Sequence, residues 1–364
     1  VPLTSARLLD TREGTGAPKA RLGAGGTLSL RVTGAQGVPP DGVTSVVLNV
    51  TAVDPSEDGR LTAGRAVPGV PSLTFAAHRT TANLLTVPVT DGKVELRNDT
   101  GALDVVADLA GYYTDAADRG SALTPITPAR FLDTRDGTGA PKARVGAGGT
   151  VAVQVAGVKG VPAEGVTAVV MNVTAVSPTS SGWITVHPDG QPAPGTSNLN
   201  FTAGRTVSNL VTVPVVNGKV DLRNSSGTVD LLADVTGYYS ANGAGTFSTA
   251  TPLRLLDTRD GTGARRGTVG AGGIVSVQVG GVGGVPADAT AVLLNVTATG
   301  ATDTGYLVAY PHNTGRPAVS SLNYAAGQTV SHQVLVPVID GRVVFYNSAG
   351  NVDVTADLTG WFTA

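Results

Sequence analysis

Arg7-Leu8-Leu9-Asp10-Thr11-Arg12 decides how this chain is read, because it returns twice. The copies are Arg130-Phe131-Leu132-Asp133-Thr134-Arg135 and Arg254-Leu255-Leu256-Asp257-Thr258-Arg259. Each copy is followed, after one residue, by Gly-Thr-Gly-Ala, and each opens a unit of about 120 residues. The 364 residues are therefore one module written three times, with expected boundaries at 1–114, 123–240 and 247–364. A unit of that size can bury a core of its own, unlike a short solenoid repeat.

Within the first unit the signals are those of short strands. Thr27 to Val32 alternates with period two, Val43 to Val53 is a long β-branched run around Asn49, and Asp91-Gly92 makes a hairpin turn. Residues 59–63, 73–77, 84–89, 93–97 and 103–113 supply further strands, and no stretch has helical period. Eight strands per unit predict an all-β chain of three tandem antiparallel β-sandwiches, jelly-roll-like, either packed with pseudo-threefold symmetry or strung as a rod. Asn49, Asn172 and Asn295 are each 123 residues apart, whereas Pro88 and Pro214 are 126 apart; the first unit has lost three residues, assigned to the loop at 65–70. The polar stretches 114–122 and 240–246 read as short linkers.

Composition removes several function classes. There is no cysteine, hence no disulfide, thiol chemistry or Cys-ligated zinc. Net charge is −2 with scattered basic residues, which is no footprint for nucleic acid. No apolar run approaches the roughly 20 residues of a membrane-spanning helix. The four histidines, His78, His187, His312 and His332, never fall at one position in all three units, so neither a metal site nor a catalytic triad is expected, and no cofactor. The Gly-Thr-Gly-Ala loops lack a following Gly-Lys-Ser/Thr and read as plain loops. Asn49-Val50-Thr51 matches a glycosylation sequon but lies inside an expected strand.

Carboxylates recur at Asp10/Asp133/Asp257, Asp104/Asp230/Asp353 and Asp108/Asp234/Asp357, and with them Arg12/Arg135/Arg259. A glycosidase pair or calcium ligands are alternatives. The favoured reading is a structural network in which the Arg of Leu-Asp-Thr-Arg pairs with the Asp of the last strand, because Asp108 sits among Val105, Val106, Ala107 and Leu109, where an unpaired charge is costly. An active site is rarely needed three times in one chain, whereas a structural device is copied with its fold.

The units differ most after Gly59, Gly182 and Gly305, where Arg60, Trp183 and Tyr306 follow, and four residues on stand Gly64, His187 and Tyr310. Residues i and i+4 of a strand share a face. Trp183 with His187 and Tyr306 with Tyr310 are thus candidate glycan-stacking pairs of the second and third units, the alternative being ordinary packing in the sandwich core or between neighbouring units.

The series LDTR-x-GTGA, GVP, LNVTA, NL-x-TVPV and AD-xx-GYY resembles a tandem repeat of secreted actinobacterial proteins, often appended to cell-wall hydrolases and proteases. The third unit departs from it at His332-Gln333 and Trp361-Phe362. The resemblance implies an extracellular, non-catalytic module that binds a glycan or cell-envelope polymer. The alternative is a structural repeat protein of the cell surface that assembles with other domains or chains.

Overall fold

The computed structural model describes residues 1–65, 67, 69–116, 120–241 and 245–364. Parts of the expected linkers and of the 65–70 loop thus lie outside the described residues. Among those described there is no helix, and so none long and apolar enough to cross a membrane.

Each repeat contributes eight strands. In the first they are β1 (Pro2–Asp10), β2 (Thr27–Arg31), β3 (Val43–Val53), β4 (Gly59–Ala63), β5 (Leu73–Phe75), β6 (Thr81–Pro88), β7 (Lys93–Asn98) and β8 (Asp104–Thr114). The second has β9 (Ala122–Asp133), β10 (Thr150–Gln154), β11 (Val166–Val176), β12 (Gly182–Pro188), β13 (Leu199–Phe201), β14 (Val207–Pro214), β15 (Lys219–Asn224) and β16 (Asp230–Ser240). The third has β17 (Thr246–Asp257), β18 (Ile274–Gln278), β19 (Ala291–Thr299), β20 (Gly305–Pro311), β21 (Leu322–Tyr324), β22 (Val330–Pro337), β23 (Arg342–Asn347) and β24 (Asp353–Thr363). They form six four-stranded antiparallel sheets, ordered β1-β8-β3-β6 and β2-β7-β4-β5 in the first repeat and equivalently in the others.

Each repeat has a core between its two sheets; in the second, Met171 and Val173 of β11 meet Ile184 and Val186 of β12. A fourth core belongs to no single repeat. Val47, Leu84 and Ala110 of the first meet Val170, Leu210 and Tyr239 of the second and Leu293, Leu335 and Phe362 of the third. Strand β3 alternates between the two, with Leu48 in its own core and Val47 in the shared one. Being buried on both faces explains why such strands read as unbroken apolar runs rather than alternating ones.

The expectation of three separate β-sandwich units is therefore corrected. The six sheets close into one ring: β1 packs on β14, β9 on β22 and β17 on β6, while β6, β14 and β22 touch one another at the centre. No repeat keeps its inner sheet to itself, because the second apolar face of that sheet needs the other two repeats to cover it. Near the centre the Tyr113 and Tyr239 hydroxyls are 2.5 Å apart, and the Tyr113 ring stacks on Phe247 with centroids 4.0 Å apart. Burial pushes the Tyr239 phenol up to about 12 and Tyr113 well above its ordinary 10.

The Gly-Thr-Gly loop also has its reason here. Gly16, Gly139 and Gly263 have φ of +70°, +71° and +71°, and a Cβ on them would lie 2.1, 2.0 and 1.9 Å from the carbonyl oxygens of Leu8, Phe131 and Leu255. Only glycine fits a left-handed residue pressed against the preceding strand.

Candidate functional site

The recurring ionic residues are used inside the ring. Asp108, Asp234 and Asp357 are at most 1 % exposed. Their partner is the first arginine of each motif rather than the last. Arg7 Nε donates to Asp108, and Arg7 Nη1 lies 2.7 Å from Asp10 Oδ2; Arg130 and Arg254 repeat this with Asp234/Asp133 and Asp357/Asp257. Arg12, Arg135 and Arg259 instead each lie 2.6 Å from Asp10, Asp133 and Asp257 within their own turn. The expected pairing of Arg12 with the last strand is thus corrected. The reason is strand alternation: Arg7 stands opposite Asp108 in the β1–β8 register, whereas Arg12 lies beyond the end of the strand.

The charges respond accordingly. Hydrogen bonds from Arg135 and Arg259 hold the Asp133 and Asp257 carboxyls down at about 2, and Arg12 lowers Asp10 likewise. Desolvation raises Asp108, Asp234 and Asp357 above the usual 3.8 against the pull of their arginines. Two of the three recurring carboxylates of each repeat are thus tied to guanidinium; the third, Asp104, Asp230 or Asp353, accepts a hydrogen bond from Thr11, Thr134 or Thr258 at 2.7, 3.2 and 2.9 Å. Among the described residues no three His, Asp or Glu side chains converge as a metal site would need.

The buried asparagines join repeat to repeat. Asn49 donates to Ser197 O at 2.7 Å, Asn172 to Ser320 O at 2.6 Å and Asn295 to Pro71 O at 2.7 Å. Asn209 donates to Asn49 Oδ1 at 2.8 Å, and Asn83 to Asn295 Oδ1 at 3.0 Å. Gln333, where the third repeat departs from the pattern, accepts from Thr86 N at 2.9 Å. Asn49 is itself 2 % exposed, so the sequon there is closed to a glycan.

The aromatic pairs are divided by the structure. Trp183 is 49 % exposed, and Tyr306 is half-buried. His187 and Tyr310 are 4 % and 7 % exposed and face no open surface, which corrects their assignment as ligand-stacking partners. The alternation holds, with Ile184 and Val186 pointing into the core. What it could not reveal is that the connections after β12 and β20 fold back over the same face. Thr185 Oγ1 donates to Thr196 O at 2.7 Å, and Tyr310 packs with Val319.

Trp183 pairs in register with Asn200, and Tyr306 with Asn323. Asn200, Tyr306 and Asn323 all line a cleft of about 770 Å³ to which every repeat contributes: Arg79 and Thr81 from the first, Arg205 and Ser208 from the second, Gln328 and His332 from the third. Trp183 thus lies one cross-strand neighbour from the cleft. Among the described residues no carboxylate lines it. A second cleft of about 460 Å³ adjoins it, shares Thr206, Tyr306 and Asn323, and is lined further out by Arg135 and Arg316. Another, of about 650 Å³ between the first and third repeats, carries Asp91, Glu95 and Asp357, but Asp357 is bound to Arg254 and the wall runs through the partly undescribed loop at 65–70.

Arg79 and Arg205 were not singled out by the sequence reading. The signal available was their shared place, with Gln328, just ahead of the recurring Asn-Leu-x-Thr-Val-Pro-Val strand.

No family model matches the chain, and no curated protein matches it. Two solved structures are similar over 94 % of this chain and 83 % of theirs. One is described as the triple jelly roll fold and turret assembly of an archaeal virus, at 11 % identity and a TM-score of 0.20. The other is the atomic structure of Sulfolobus turreted icosahedral virus, at 10 % identity and 0.18. Likeness at that level carries no argument about function.

Proposed function

We propose that the chain is a non-catalytic, extracellular binding module whose ligand is a glycan or cell-envelope polymer, held at the three-repeat cleft that Tyr306 lines and on Trp183, whose cross-strand neighbour Asn200 also lines the cleft. The observation that carries this reading is Trp183: a half-exposed indole on a paired strand, with Asn200 beside it in the sheet and its own backbone N–H held by Ser225 Oγ at 2.7 Å. A rigid ring flanked by amide and hydroxyl groups suits a sugar, whose faces are apolar and whose rim hydrogen-bonds. The non-catalytic reading is supported by the engagement of Asp10 and Asp108, and of their counterparts, with arginine.

The test is a glycan and peptidoglycan binding screen of the whole chain against Trp183→Ala with Tyr306→Ala. Loss of a desolvated aromatic anchor costs about 2 kcal/mol, roughly thirtyfold in affinity. Binding should disappear while the melting curve is kept; unchanged binding in the double variant rejects the site.

A second reading, a surface protein that assembles with other chains, is favoured by one observation. The exposed aliphatics Leu253, Ile274, Val282 and Ile339 all belong to the third repeat; the second has Ala129 and Thr150 at the first two positions and the half-buried Val158 and Val216 at the others.

A further inference from the structure

We infer that the ligand of the three-repeat cleft is anionic: a glycan whose sugars carry a carboxylate or a phosphate. This rests on the binding-module reading and adds its charge. Arg79, Arg205 and Gln328 occupy equivalent positions in the three repeats, each closing the same tight turn: Arg79 N donates to Ala76 O at 3.1 Å, Arg205 N to Thr202 O at 3.1 Å and Gln328 N to Ala325 O at 3.0 Å. All three residues line the one cleft.

Their states differ. The Gln328 side-chain oxygen accepts from Ala325 N at 3.0 Å and is engaged in its own turn. Arg79 and Arg205 are exposed, and among the described residues neither has a carboxylate within 4.0 Å. The arginines of the Leu-Asp-Thr-Arg motifs, by contrast, are all paired.

Two exposed arginines on a cleft with no carboxylate among its described lining residues suit an oxyanion, which each guanidinium can bind with two N–H groups. The adjoining cleft continues the same chemistry. Past Tyr306 it meets Arg316, whose guanidinium lies 4.0 Å from the centroid of the Tyr346 ring. A linear anionic glycan can therefore place one oxyanion between Arg79 and Arg205, a sugar face on Tyr306 and a further oxyanion towards Arg316.

The test measures binding of the full chain to oligogalacturonate, to dextran phosphate and to plain dextran. The expected result is tighter binding of at least one charged probe than of dextran, weakening as salt is raised. Arg79→Gln with Arg205→Gln should reduce it at least tenfold, whereas Arg31→Gln, on an exposed outer strand, should leave it unchanged. Which charged probe binds tells carboxylate from phosphate. Equal affinity for charged and neutral probes, an unchanged double variant, or an equal loss in Arg31→Gln overturns the inference. If dextran still binds and depends on Trp183 and Tyr306, the binding-module reading survives that failure; if no glycan binds at all, both fall.

Discussion

His332 occupies the position of Asn83 and Asn209, each of which reaches across to an asparagine of another repeat. Its Nδ1 lies 3.4 Å from Ser208 Oγ, and burial lowers its pKa from 6.5 to about 4. A base whose folded pKa is depressed contributes stability that is present above 6.5 and is lost as pH falls towards 4, because the unfolded chain takes up the proton first. A shift of this size corresponds to roughly 3 kcal/mol. His332→Asn, which restores the residue of the other repeats, should thus gain on the wild type as pH is lowered from 6.5 to 4, read as the difference between their melting temperatures. A constant difference across that window would mean the imidazole is not held neutral. Asp133 and Asp257, held at about 2, act in a lower window: their contribution is complete above 3.8 and is lost as pH falls towards 2. The variant should keep that acid limb.

At the scale of the element, the turn after β9 shows why the motif extends beyond its charged residues. Asp133 N donates to Thr138 O at 2.9 Å and Gly137 N to Asp133 O at 3.0 Å, which folds Gly139 back onto Phe131. The Asp133 carboxylate then faces Arg130 on one side and Arg135 on the other. Gly139→Ala should cost about 1–2 kcal/mol from the left-handed backbone alone, and more once the collision with Phe131 O is counted. Gly146→Ala, where a Cβ meets nothing within 4 Å, is the control and should melt with the wild type. Equal melting of both variants would remove the steric account of the Gly-Thr-Gly motif.

The whole molecule is a single chain in which each repeat supplies what a subunit would supply to a symmetric trimer. A repeat expressed alone, such as 123–240, would expose Ala168, Val170, Leu210 and Tyr239, which the other two repeats cover in the ring. It should self-associate, with three copies closing as the ring does, and light scattering should find no stable monomer. A monomeric fragment that melts cooperatively with the full chain would show that the shared core is dispensable. The same closure means the cleft is absent from any single repeat, so ligand binding should be lost on dissection even where Trp183 is retained.

The threefold repeat and the strand content were legible in the chain, because each is local or periodic: a motif recurs at a fixed spacing and a strand alternates; that Asp108, a charge in an apolar strand, needs a partner was legible too. Which arginine answers Asp108 was not legible, since Arg7 and Arg12 are equally near in sequence and only the register of β1 on β8 separates them. The burial of His187 and Tyr310 was hidden for a similar reason: alternation assigns a face but is silent on a loop that later covers it. Closure into a ring of six sheets was decided by tertiary structure alone. An unbroken apolar strand says that both its faces are buried, and it does not say against what. Only the packing of Val47, Leu210 and Leu335 in one core shows that the second face of each inner sheet is filled by the other repeats, and that Arg79, Arg205 and Tyr306, far apart in the chain, meet at one cleft.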